Sequence, residues 1–141
     1  MSLSTMPATS AALELQAAVA ARLAAEADLL AALGGARVFD GAPRGTDFPY
    51  VTLGPASQSD WSDGSTAGAA VTLTLHVWSR GAGKREAWTI LGILMRVLHE
   101  ASLPLSLRSL VDLTAVFAEV RRDADGITEH GVLRLEGLVE G

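Results

Sequence analysis

Residues 70–100, AVTLTLHVWSRGAGKREAWTILGILMRVLHE, constrain this chain more than any other stretch. A cleanly alternating segment passes through a glycine loop into a helical segment that is apolar on nearly every side. Val71, Leu73, Leu75 and Val77 fall on one face of a period-two strand, with Thr72, Thr74, His76 and Trp78 on the other. From 87 to 98 the apolar residues recur at helical spacing in two stripes. Ala87, Leu91, Leu94, Met95 and Leu98 make the first, and Trp88, Ile90, Ile93 and Val97 make the second. Two apolar faces require two partners. The first is the chain's own sheet. The second is assigned to a neighbouring subunit, because a patch of that size left in water invites aggregation.

The rest of the chain supplies that sheet. Residues 9–33 are rich in alanine and leucine, with Ser10 placed as an N-cap and Gly34-Gly35 as a stop, which predicts one long first helix. Leu13, Ala17, Ala20, Leu23, Ala27 and Leu30 share its expected buried face, with Glu14, Arg22, Glu26 and Asp28 largely elsewhere. Residues 37–39 read as a short strand ended by the turn chemistry of Asp40 to Pro43, and 50–54 as the next strand. Residues 57–68, dense in Ser, Asp and Gly around Trp61, read as a long hairpin loop that becomes ordered on a partner. Residues 103–107 are read as extended. Residues 111–121 and 128–139 are two further strands joined across Asp125-Gly126, a strong hairpin signal. The order predicts an α+β domain: a mainly antiparallel sheet of four to five strands, with a long N-terminal helix and a second helix packed on one face.

At 141 residues the chain suits a single domain, residues 11–141, after a flexible lead over residues 1–10. The lead lacks the charged and apolar regions of a secretory signal. The longest apolar helical run is interrupted by Arg96 and is shorter than the roughly 20 residues that span a bilayer, so no membrane partner is expected. With no cysteine, thiol catalysis, thiolate metal sites and disulfides are excluded. A formal net charge of -5 and a pI near 5.1 argue against binding nucleic acid by neutralising phosphates.

Each catalytic or ligand-binding signal fails its own test. Gly81-Ala82-Gly83-Lys84 lacks the earlier glycine and the following Ser or Thr of a phosphate loop, since Trp78 and Arg85 stand there. His76, His99 and His130 have no metal-ligand spacing. Asp123, Asp125, Gly126 and Glu129 lack the register of a calcium loop. Asp60 and Asp63 flank Trp61, but nothing supplies the apolar pocket that raises a carboxyl pKa for acid catalysis. No catalytic residue, cofactor or metal is therefore expected. Trp61 and Trp78 remain, and two readings stand for each: a ring packed under neighbouring structure, or an aromatic on an otherwise polar surface of the kind that anchors interfaces.

Several words of the sequence together resemble a known family. They are RVFDGAP (37–43), FPYVTLG (48–54), DWS (60–62), LTLHVWSR (73–80) ahead of a Gly-Lys-Arg-Glu helix start, and RRD (121–123) with Asp125-Gly126 before the last strand. In this order and spacing they resemble the tail completion, or tail terminator, proteins of long-tailed bacteriophages and gene transfer agents.

The resemblance implies a non-enzymatic particle subunit that forms a ring, commonly a hexamer, at the head-proximal end of the tail tube. Such a ring stops tube polymerisation and joins the tail to a head-side stopper or connector. It implies assembly in the bacterial cytoplasm, with DNA only as cargo passing through the lumen. Three alternatives stand beside it: another head-tail connector or stopper, a cytoplasmic homo-oligomeric binding module unrelated to phage, and a small enzyme whose site is shared across an interface. A closed ring needs two different surfaces per subunit. Trp88, Ile90, Ile93 and Val97 are the expected oligomer interface, and Asp60, Trp61 and Trp78 the expected partner contacts.

Overall fold

The computed structural model describes residues 9–141 apart from Ala82; the expected lead lies outside the described residues except for Thr9 and Ser10. Helix α1 (Ala11–Ala24) begins where the sequence places it, with the Ser10 hydroxyl accepting from the Leu13 N–H at 3.0 Å. It does not run on to Leu33. Glu26 is extended and a second helix, α2 (Ala27–Leu33), follows, closed by Gly34 at φ +78°. Arg22 and Arg96 both hold the Glu26 carboxylate, at 3.0 and 3.2 Å, which anchors the break.

The expected buried face of the first helix is also corrected. Leu13 is 57% exposed and Ala17 and Ala27 are exposed, whereas Ala11, Leu15, Val19 and Leu23 are buried. Leu15 and Val19 remove more apolar surface than the alanines do, and the break at Glu26 resets the phase so that Leu29 and Leu33 also turn inward.

Five strands form one sheet in the order β1-β2-β3-β5-β4. Strand β1 (Val38–Phe39) runs parallel to β2 (Tyr50–Asp60); β2, β3 (Gly68–Arg80), β5 (Thr128–Glu140) and β4 (Ser109–Arg122) alternate antiparallel. The α+β reading therefore holds, with helices on one face. Helix α3 (Gly83–Leu98) lies against β3, β4 and β5. The expected loop at 57–68 is shorter than read from composition, because β2 continues to Asp60 and β3 starts at Gly68. Residues 103–107 contribute one isolated bridge, Pro104 to Ser109.

The core fills the space between sheet and helices: Leu73, Leu75, Leu133 and Leu135 from the strands meet Leu15, Leu91 and Leu94. Two glycines of β5 make this fit possible. A Cβ at Gly131 meets Leu91 at 3.1 Å, and one at Gly137 meets Leu15 at 2.9 Å. The helices sit in these notches.

Two carboxylates are buried on this side of the sheet, Glu129, which Arg122 holds at 2.8 Å, and Glu14. Glu14, only 4% exposed, accepts from Ser106 Oγ at 2.9 Å and Leu107 N–H at 2.6 Å, and its other oxygen pairs with Arg108. Burial raises its pKa, but the Leu107 N–H, Arg108 and Ser106 bonds outweigh it and hold the carboxyl at about 2. The cluster fastens α1 to the segment leading into β4.

Candidate functional site

The alternation of β3 places Thr72, Thr74, His76 and Trp78 on the sheet face that no helix covers. Cross-strand pairing then brings aromatic rings together there. Trp78 stands between Tyr50 of β2 and His130 of β5 in register. It stacks on the His130 imidazole with centroids 4.0 Å apart and planes 11° apart, and its indole N–H donates to Thr52 Oγ1 at 3.0 Å. Tyr50 adds a third ring at 6.3 Å from Trp78, and Phe48 a fourth at 5.0 Å from Tyr50. The Arg80 guanidinium lies over the Phe48 ring at 4.1 Å.

His76 and His130 meet within this stack at 2.7 Å, Nδ1 to Nε2. One ring nitrogen donates and the other accepts, so double protonation would set two N–H groups against each other. Burial lowers the pKa of His76, and burial together with the charge of His76 lowers that of His130. The face thus favours two neutral imidazoles near pH 7.

The second stripe of α3 divides. Ile90 and Val97 are buried in the subunit's own core, so they do not belong to a free surface. Ile93 is half-buried against that core, and Trp88 is 45% exposed. The stripe was read as facing one way because α2 was not separable from the first helix in the sequence; α2 and α3 in fact pack together, with Arg96 bonding Asp28 at 3.0 Å.

The β2–β3 loop around Trp61 is organised by its own side chains. Asp60 Oδ1 accepts from the Ser62 N–H at 3.1 Å, and Asp63 Oδ1 accepts from the N–H groups of Ser65 and Thr66, both at 2.8 Å. Trp61 N–H reaches Gly68 O at 2.9 Å, and its indole lies over Gly68, where a Cβ would be 3.0 Å away. Trp61 remains 42% exposed. The hydrogen bonds from Ser62 lower the Asp60 pKa, and those from Ser65 and Thr66 lower that of Asp63. A general acid needs the opposite shift. The turn between β4 and β5 is held the same way: Thr128 and Ile127 bond Asp125 and hold it at about 2.

The residues singled out in the sequence are thus not one site. Asp60 and Trp61 lie at one end of the sheet, Trp78 near the other, and Trp88 on the helical layer. The His76–His130–Trp78–Tyr50 stack was missed. Its only trace in the sequence is that His76 and Trp78 share one face, since pairing partners 52 and 54 residues away carry no local signal. Among the described residues no three His, Asp or Glu side chains gather as a metal site, and no helix is long and apolar enough to cross a membrane.

A small helix-backed α+β sheet with one open aromatic face and exposed tryptophans on two other surfaces is the class of domain the fold defines. The family described as tail completion protein gp17 matches residues 17–140, and the chain belongs to that family. The tail completion protein gp17 of Bacillus phage SPP1 is 31% identical over 88 residues, 62% of this chain and 65% of that protein, so the aligned part spans just under two thirds of the relative. A chain from the virion of a native gene transfer agent particle has a TM-score of 0.86 at 35% identity, covering 94% of this chain and 100% of that one. The structure of bacteriophage SPP1 gp17 has a TM-score of 0.64 at 25% identity, covering 90% and 89%.

Proposed function

We propose that this chain is a structural subunit of a phage-type or gene-transfer-agent particle. It forms a ring at the head-proximal end of the tail tube, stops tube polymerisation, and joins the tail to the head-side connector or stopper. The observation that carries the reading is the match, over 94% of this chain and the whole of the other, to a chain of a gene transfer agent virion. Family membership over residues 17–140 supports it.

The mechanism needs no chemistry beyond contact. One ring face pairs with the last tube ring, and the other offers no docking surface to another tube subunit. Each subunit must present two different surfaces to its neighbours for the ring to close. Assembly takes place in the bacterial cytoplasm, and the formal net charge of -5 suits a conduit that does not grip passing DNA.

The test is the mass of the purified protein by light scattering across a concentration series, with negative-stain images, alone and with tail tube protein. Closed rings, and tubes whose growth stops when the chain is added, are the expected result. Tubes that lengthen unchanged in its presence, with no bound ring at their ends, overturn the proposal.

A further inference from the structure

The sheet ends in two backbone edges whose hydrogen bonds are only partly used. On β4 the edge is closed at its middle, where the Leu113 carbonyl accepts from Glu100 N–H at 2.7 Å and Ala115 N–H donates to His99 Nδ1 at 3.0 Å. These bonds fix which residues point their backbone outward. Beyond the bulge between Ala115 and Phe117 the alternation turns Ala118, Val120 and Arg122 outward, and Asp123 N–H accordingly points inward to Thr128 O at 2.8 Å. Among the described residues nothing meets their outward groups.

The other edge is β2. Strand β1 covers it only beside Val51 and Thr52, with Val51 N–H donating to Arg37 O at 2.9 Å. Past the bulge between Leu53 and Ala56, the outward residues are Ala56, Gln58 and Asp60, and Trp61 N–H again points inward. Residues 55–60 are all exposed. Open edges of this length template pairing with another chain unless they are covered.

We propose that neighbouring copies of this chain join edge to edge, residues 118–122 of β4 on one copy pairing antiparallel with residues 56–60 of β2 on the next. The inference rests on the ring reading above and names a contact within it. The pairs are Ala118 with Asp60, Val120 with Gln58 and Arg122 with Ala56. In each pair both residues face outward, so each exchanges two hydrogen bonds. Strand β4 is antiparallel to β2 within the subunit, so the next copy's β2 continues the alternation unbroken.

Two independent features agree with this register. Val120 lies in line with Gly131, Val77 and Val51, whereas Gln58 lies in line with Val71, six residues from Val77 along β3. Joining Val120 to Gln58 therefore shifts each copy by about 20 Å along the strands for about 19 Å across four of them, a tilt of about 45°. Closed sheets run at roughly 35–45°. The same register sets Phe117 opposite Trp61. Phe117, 40% exposed beneath the Arg134 guanidinium, and Trp61 lie on the face away from the helices, where they form an aromatic cross-strand pair. Glu119 faces Ser59 and Arg121 faces Ser57, so no like charges oppose each other.

Because the chain has no cysteine, the register is open to cross-linking. The double variant Ser59→Cys/Glu119→Cys, oxidised after assembly with tail tube protein, should give a ladder of covalent multimers up to the ring. Either single variant should give none, and Ser57→Cys/Glu119→Cys, two residues out of register, should give at least tenfold less. Val120→Pro removes one outward N–H at an edge that tolerates proline, and should leave a folded monomer by circular dichroism. Rings of wild-type mass without the 59–119 cross-link, or with equal cross-linking at 57–119, overturn the edge pairing and leave the ring reading standing. A chain that stays monomeric with tube protein present overturns both readings.

Discussion

The two faces of the sheet obey different rules. On the covered face Leu73, Leu75, Leu133 and Leu135 have no exposure, and each is wedged against helices seated in the notches of Gly131 and Gly137. On the open face the same strands carry His76, Trp78, His130 and Arg134, which are held by stacking and hydrogen bonds and still reach solvent. The covered face tolerates only shapes that fill it. The open face constrains polarity and ring orientation and leaves volume free. One face encodes the fold, and the other leaves side-chain volume open.

Glu14 is the sharpest exception on the covered side, and Glu14→Ala has the largest expected effect. It strands Arg108 and the Leu107 N–H, costing about 3–5 kcal/mol in denaturant unfolding. Because the folded pKa is depressed to about 2, the carboxylate's contribution is present above the unfolded value near 4.5 and is lost as pH falls toward 2. The variant should lack that loss. Leu133→Ala should cost about 2–5 kcal/mol by the same measurement, as a fully buried residue does.

On the open face Trp78→Ala should cost less, roughly 1–2 kcal/mol, from a half-buried ring and its stack. A loss equal to that of Leu133→Ala would mean the open face is core as well, and the contrast between faces would break. The imidazole pair sharpens it further. Both folded pKa values are lowered, so the pair's stabilisation is present above about 6.5 and is lost as pH falls through the lower folded values. The melting temperature should drop between pH 7.5 and pH 5, and His76→Gln/His130→Gln should reduce that drop. Leu13→Glu, on the exposed side of α1, should change stability by no more than about 0.5 kcal/mol. The first-helix face read from the sequence requires several times that.

Period-two alternation was legible in β3, as were the Asp125-Gly126 turn and the apolar spacing of α3, because each is a local pattern that packing reinforces. The break at Glu26 was not, since one of the two arginines that hold its carboxylate, Arg96, lies 70 residues away. The buried phase of α1 was misread because alanine-rich helices have weak amphipathic contrast, so a tertiary neighbour decides which side is inside. Burial of Ile90 and Val97 was not legible for a different reason: α2, which packs on α3, reads in the sequence as part of one longer first helix. Glu14 carried no sign of its fate. Its partners Ser106, Leu107 and Arg108 are brought to it only by the completed fold.

Strand β5 lies between β3 and β4 in the sheet, yet it is made after both of them. During synthesis β3 waits about sixty residues for its main pairing partner, roughly 3–12 s at 5–20 residues per second. Until then α1 and α3 have no notches to enter, and a chain stopped short of Thr128 has no route to the native layers. Strand β4, whose one neighbour in the sheet is β5, is likewise left unpaired until residues 128–140 are made.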